Sequence, residues 1–152
     1  GEMAIPLAIF SATYKGIPLM YSGQEIPNRK RLQFFDRDPL DWTKSPALHG
    51  FYRSILHLRK NHPAFTTAAD PANLVQLRNG VDHHVLSFMR KDVESVVIVA
   101  INLSPYHLEH VESSTNNQIG SFTGYFSAAK KEVAGHLYTD LSAWAYQIWV
   151  KE

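Results

Sequence analysis

Residues 3–14 are apolar at nearly every position, with no polar stripe. A helix with that pattern has to be buried on most of its sides. Gly16 stops it, because glycine takes the left-handed conformation at a helix end without strain. The run Ile17-Pro18-Leu19-Met20-Tyr21 lies between Gly16 and Gly23. It predicts a short strand buried on both faces, as in parallel sheets. Residues 22–44 are polar and irregular, with Pro27 and Pro39 among several charges, which predicts a long loop of the kind that carries function. Ser45-Pro46 then offers an N-cap hydroxyl and a proline at the first helical position. Leu48, Phe51 or Tyr52, Ile55 and Leu58 recur at helical spacing, with Arg53, His57, Arg59 and Lys60 on the other side. The pattern predicts an amphipathic helix ending at His62-Pro63. Helix, buried strand, loop and helix in this order read as the tail of an alternating α/β unit.

After Thr66 the period changes from helical to alternating. Asp70-Pro71 and Asn79-Gly80 are turn signals, and residues 74–78 and 84–88 flank the second as a hairpin. Residues 95–103 (SVVIVAINL) are β-branched on both faces and predict a central strand. Residues 106–111 alternate, residues 122–126 form a weaker strand, and a turn centred on Gly135 precedes His136-Leu137-Tyr138. Residues 144–150 alternate to the end of the chain. Short strands at regular spacing predict an antiparallel β-sandwich. The expected fold class is α+β, divided into residues 1–66 and residues 67–152. No repeat or low-complexity tract is present in the sequence.

The length, 152 residues, admits one ordinary domain or two small ones. A closed (β/α)8 barrel takes roughly 250 residues and does not fit. With 45% apolar and 19% charged residues the chain is built to fold. Fifteen basic residues against 14 acidic ones leave a net charge of +1, so neither nucleic acid nor membrane is expected as a partner. The lack of cysteine excludes a disulfide scaffold, a thiolate nucleophile and a Cys-ligated metal; it does not fix the compartment. The first ten residues lack a signal peptide's basic leader and are too few to span a bilayer. An all-apolar helix with nothing before it reads as cut from something larger.

Gly16-Ile17-Pro18-Leu19-Met20-Tyr21-Ser22-Gly23-Gln24-Glu25 resembles the last barrel strand of the α-amylase family, glycoside hydrolase family 13, which reads approximately G-x-P-L-x-Y-x-G-Q-E. Residues 32–42 (LQFFDRDPLDW) resemble the loop after that strand. Leu58-Arg59-Lys60, with His62-Pro63-Ala64, is similar to the end of the family's final barrel helix. Tyr138-Thr139-Asp140-Leu141 and residues 144–149 (WAYQIW) resemble the end of the all-β domain that follows the barrel. The likeness covers nearly the whole chain in collinear order. It implies that residues 1–66 are the last βα piece of a (β/α)8 barrel and residues 67–152 a Greek-key-like C-terminal domain.

The same resemblance implies an enzyme acting on α-linked glucans with retention, through a nucleophilic and an acid/base carboxylate. In the family these carboxylates, and a third that stabilises the transition state, belong to strands before the eighth. None maps onto this sequence, so the chain alone is expected to be inactive. No cofactor is implied. The resemblance puts a maltooligosaccharide or α-glucan as partner, and Tyr21, Gln24 and Glu25 as candidate substrate-binding residues at the carboxyl end of a barrel strand, where barrel active sites are built. Gln24 and Glu25 can equally bond local backbone, and Tyr21 can pack rather than stack on a sugar.

Other constellations weigh less. Counted from Asp36, the calcium-loop template places Asp41 where glycine is needed and Ala47 where glutamate is needed. Asp36, Asp38 and Asp41 therefore read as a solvated loop able to pair with Arg29, Lys30 or Arg31. The eight histidines lack metal-ligand spacing: His107 and His110 point to opposite strand faces, as do His83 and His84. Trp144 and Tyr146 share a face of the last strand and Trp149 takes the other; they form either a sugar platform or core. A non-catalytic carbohydrate-binding module is thus the alternative reading. A lone barrel strand and an all-apolar helix would expose sticky surface, so a homo-oligomer is expected.

Overall fold

The structure is a computed structural model and describes residues 1–33, 35–43, 45–66 and 73–151. The expected turn at Asp70-Pro71 lies outside these residues. Three helices, α1 (Ala4–Thr13), α2 (His49–Asn61) and α3 (Pro63–Thr66), precede six strands: β1 (Leu74–Leu77), β2 (Val85–Lys91), β3 (Val96–Asn102), β4 (Leu108–Gly124), β5 (Lys130–Leu141) and β6 (Tyr146–Lys151).

The strands form one antiparallel sheet in the order β1-β2-β3-β6-β4-β5. The antiparallel part of the expectation holds; among the described residues two packed sheets do not form. A single sheet curls into a half-barrel instead. Asn79, just past β1, forms a bridge with Ser113 of β4, and Ser114 N–H donates to the Arg78 carbonyl at 2.9 Å. The curl therefore brings the first strand back against the fourth.

The two faces of β3 explain its β-branched sequence. Val97, Val99 and Ile101 join Phe88, Ile148 and Val150 in a core shared with Ile9 and Ala12 of α1, Ile55 and Leu58 of α2, and Ala64 and Phe65 of α3. Val96 and Ile98 point into the curl with Met89, Phe122, Leu137 and Trp149. Ala100 meets Val85, Val111 and Leu141 there. A polar pair is buried there as well: Ser87 Oγ and Ser113 Oγ share a hydrogen bond of 2.9 Å.

The long hairpin β4–β5 was the least visible in sequence. The two expected strands at residues 106–111 and 122–126 are one 17-residue strand, ending at Gly124. Tyr125 and Phe126 belong to the turn that follows. Polar residues 113–118 disguise the continuity, and Asn116 and Asn117 take φ of 52° and 63° in an irregularity between Ser114 and Ile119. Gly135, expected as a turn, lies within β5 at φ 82°, between the paired residues Ala134 and His136 and opposite that irregularity. Asn79-Gly80 also departs from expectation. The β1–β2 connection spans residues 78–84, and Asn79 Nδ2 reaches past a two-residue turn to the Val85 carbonyl at 3.0 Å.

Three expectations for the first half need correction. Residues 17–21 form no strand, because among the described residues no strand pairs with their backbone and Pro18 lacks an N–H. The barrel-strand part of the expected fold class is therefore not formed here. Helix α2 starts at His49 rather than at Ser45-Pro46: Ala47 and His49 donate back to the Ser45 and Pro46 carbonyls in a turn, and Leu48 occupies the cap position. Helix α1 is less enclosed than its sequence demands. Pro6, Ile9, Ala12 and Thr13 are buried, but Ala4, Leu7 and Ser11 remain exposed.

Candidate functional site

Gly16 leaves helix α1 at φ 89°, as a helix-stopping glycine does. The segment beyond it is fixed at both ends. Upstream, Arg59 Nη2 donates to the Gly16 carbonyl at 2.6 Å. Downstream, Leu48 N–H donates to the Glu25 carbonyl at 3.0 Å. Between them the chain turns sharply at Gly23, with φ 92°. A Cβ there would stand 3.1 Å from Leu40 and 3.3 Å from Asn28, so both backbone angle and space call for glycine.

The three sequence candidates fare differently. Gln24 closes a loop on Tyr21: its Oε1 accepts from Tyr21 N–H at 2.9 Å, and its own N–H donates to the Tyr21 carbonyl at 3.2 Å. The Tyr21 ring is exposed, at 61% of its accessible surface. Glu25 is half-buried, and its Oε2 is enclosed without a hydrogen-bond partner among the described residues. Burial raises the Tyr52 phenol above its ordinary value, and the nearby Glu25 charge adds to the rise.

Gln24 alone of the three lines a cleft of about 500 Å³ between α1 and α2. Ile5, Ala8, Leu19 and Ile55 give it an apolar wall, and Asn28, Arg29 and Tyr52 bring polar groups to it. Sequence reasoning missed Asn28, which stands in an irregular loop with no periodic signal, and took Arg29 only as a partner for the loop carboxylates. Tyr52 entered only as an alternative to Phe51 on the helix face. Chemically the cleft can hold a ligand with apolar faces and hydroxyl groups. Glu25 is the only carboxylate in residues 17–28, and one carboxylate cannot act as both nucleophile and acid/base.

The loop carboxylates form local ties. Lys30 Nζ pairs with Asp38, whose other oxygen accepts from Gln33 N–H at 3.1 Å. The Lys30 bond, and then the Gln33 amide, hold Asp38 below the ordinary carboxylate range. Asp41 Oδ1 accepts from Thr43 N–H at 3.1 Å. His107, His110 and His136 each face one carboxylate, Glu109, Asp140 and Glu112 respectively. No three His, Asp or Glu side chains converge as metal donors among the described residues.

The last strand settles the aromatic platform. Trp149 is 3% exposed inside the curl, with its Nε1 donating to Gln147 Oε1 at 3.0 Å, so it is core. Tyr146 packs on Phe51 and Phe126 with centroids 6.2 Å and 5.7 Å away. Trp144 stands in the turn before β6 at φ 57°, half-buried. Phe126, at 44% exposure, and Tyr146, Ser127 and Gln147 border a hollow of about 140 Å³.

No family model matches the chain. An α-amylase, MalA of Haloarcula japonica, is 29% identical over 92 residues, covering 59% of this chain and 13% of that protein. Among solved structures, a maltogenic α-amylase from Thermotoga neapolitana superposes with a TM-score of 0.80 at 18% identity, over 99% of this chain and 36% of that one. The α-amylase of Geobacillus thermoleovorans, solved with acarbose, gives a TM-score of 0.79 at 19% identity, over 100% of this chain and 34% of that one. The chain thus spans about a third of the length of those structures. Sequence and fold agree: the chain is related to the α-amylases of glycoside hydrolase family 13 and corresponds to a portion of an α-amylase-like protein.

Proposed function

We propose that this chain is the C-terminal portion of a retaining glycoside hydrolase that acts on α-linked glucans. Residues 1–66 are its last barrel βα unit and residues 67–152 its C-terminal β domain. The catalytic carboxylates belong to the remainder of the enzyme. Tyr21, Gln24 and Glu25 face or support the sugar cleft there, with a maltooligosaccharide as substrate.

One observation carries this reading. Ile17, Leu19, Met20 and Tyr21 are 96%, 78%, 42% and 61% exposed, and among the described residues the backbone of residues 17–20 has no hydrogen bond. Such a segment, beside an apolar cleft, is suited to pairing with strands on both edges. The relation to the α-amylases supports barrel strands as those neighbours. In isolation the same surface drives self-association into a homo-oligomer.

The test is hydrolysis of a maltooligosaccharide series by the 152-residue chain. No turnover above buffer is expected, and turnover by the chain alone contradicts the assignment of the carboxylates elsewhere. A second reading, a glucan-binding β module, draws support from the hollow beside Phe126 and Tyr146. Isothermal titration with maltooligosaccharide separates the two. Heat abolished by Phe126→Ala or Trp144→Ala favours the module, and heat abolished by Gln24→Ala favours the cleft.

A further inference from the structure

Two arginines converge on the root of the candidate segment from opposite sides of the fold. Arg59 belongs to α2 and is half-buried; Arg90 belongs to β2 and is 1% exposed. Arg59 Nη1 donates to the Tyr14 carbonyl at 2.9 Å, and Arg90 Nη1 donates to the same oxygen at 2.8 Å. Arg59 Nη2 takes the Gly16 carbonyl as well. Both guanidinium groups lie over the Phe65 ring, 5.4 Å and 5.3 Å from its centroid, and Arg90 Nε donates to Asn73 Oδ1.

The Tyr14 carbonyl is at the end of α1, where carbonyls lack helical partners and the helix dipole is negative. One cation satisfies such an end. Two side by side are unfavourable: burial, followed by the Arg59 charge, pushes Arg90 down to about 10. The arrangement therefore serves more than capping. Between these arginine contacts and the Tyr21–Gln24 bonds, the backbone of residues 17–20 makes no hydrogen bond among the described residues, so its path depends on how its two ends are held, upstream by the arginines and downstream by Gln24.

We infer that Arg59 and Arg90 are positioning residues, which fix residues 16–25 against α2 and the sheet and so place Gln24 beside the cleft. The sheet takes part in holding the cleft through Arg90. The glucan part of this inference rests on the function proposed above; the positional part does not.

The test is ¹⁵N relaxation of the full 152-residue chain, with maltotriose titration in parallel. In Arg59→Gln, order parameters over residues 17–23 fall below about 0.6, the flexible range, while those of β3 stay at wild-type values. Arg59→Lys, which keeps the charge and one donor but not the fork, gives an intermediate loss. Arg90→Lys loosens the same residues. If that variant fails to fold, Arg59→Gln decides, because Arg59 lies nearer the surface. Unchanged order parameters over residues 17–23 in Arg59→Gln, with the fold intact, overturn the inference. Where wild type binds maltotriose, Arg59→Gln weakens it at least tenfold without a change in the Trp149 environment. Unaltered affinity overturns the link to the cleft. Absence of wild-type binding counts against the cleft's proposed role and leaves the relaxation result to decide the positioning.

Discussion

At the scale of single residues, a few polar side chains organise much of the fold. Asn102, fully buried at the end of β3, donates Nδ2 to the carbonyls of Tyr106, Leu141 and Ser142 and accepts from Ser104 N–H and Oγ at its Oδ1. It ties the β3–β4 connection to the β5–β6 connection. Asn102→Ala leaves several buried groups unpaired and should cost about 3 kcal/mol, from roughly 1–3 kcal/mol for each orphaned group; the urea midpoint checks this. Asp38 gives a pH prediction. Its pKa is depressed, so the order that it lends the loop is present above the ordinary carboxylate range and is lost as pH falls through the lowered value. An NMR titration of the Asp38 carboxyl should show a midpoint below that range, and Lys30→Ala should bring it back. Arg90 was legible in principle. It shares the helix-facing parity of Leu86 and Phe88 along β2, and an arginine at a core position announces a specific partner. Which partner it finds depends on Tyr14, 76 residues away, and no local pattern reveals that.

At the scale of elements, periodicity worked where burial is one-sided or complete and failed where it is interrupted. Helices α1 and α2 and strands β1, β2, β3 and β6 lie close to where apolar spacing puts them. The sequence of strand β4 reads as two pieces because residues 113–118 are polar and the left-handed pair Asn116-Asn117 has the chemistry of a turn. The curl turns two of those polar residues inward, Ser113 and Thr115, and buries them fully. Local propensity cannot report such tertiary context. The sequence resemblance pointed to residues 16–25, but pairing of residues 17–21 as a strand requires neighbours that the described residues do not supply. The continuity of β4 has an energetic consequence. Phe122, 0% exposed, packs from its C-terminal half against Met89, Ile98 and Trp149, whereas Phe126 is in the turn. Phe122→Ala should destabilise by about 3–5 kcal/mol and Phe126→Ala by much less, as thermal unfolding of both variants would show.

At the scale of the whole molecule, the helices and the sheet are held by one shared core and by the Arg59–Arg90 pair, while the far side of α1 and residues 17–21 stay open. That asymmetry follows from the proposal that a larger barrel covers the open side. It predicts concentration-dependent association of the 152-residue chain by light scattering, reduced by Leu19→Lys. A monodisperse monomer at high concentration would argue that the open surface is tolerated. The most direct measurement is the sequence of the reading frame immediately before Gly1. The account predicts an in-frame continuation that carries the strands before the eighth and, on them, the catalytic carboxylates. A stop codon in frame, or an unrelated domain in that position, would contradict it.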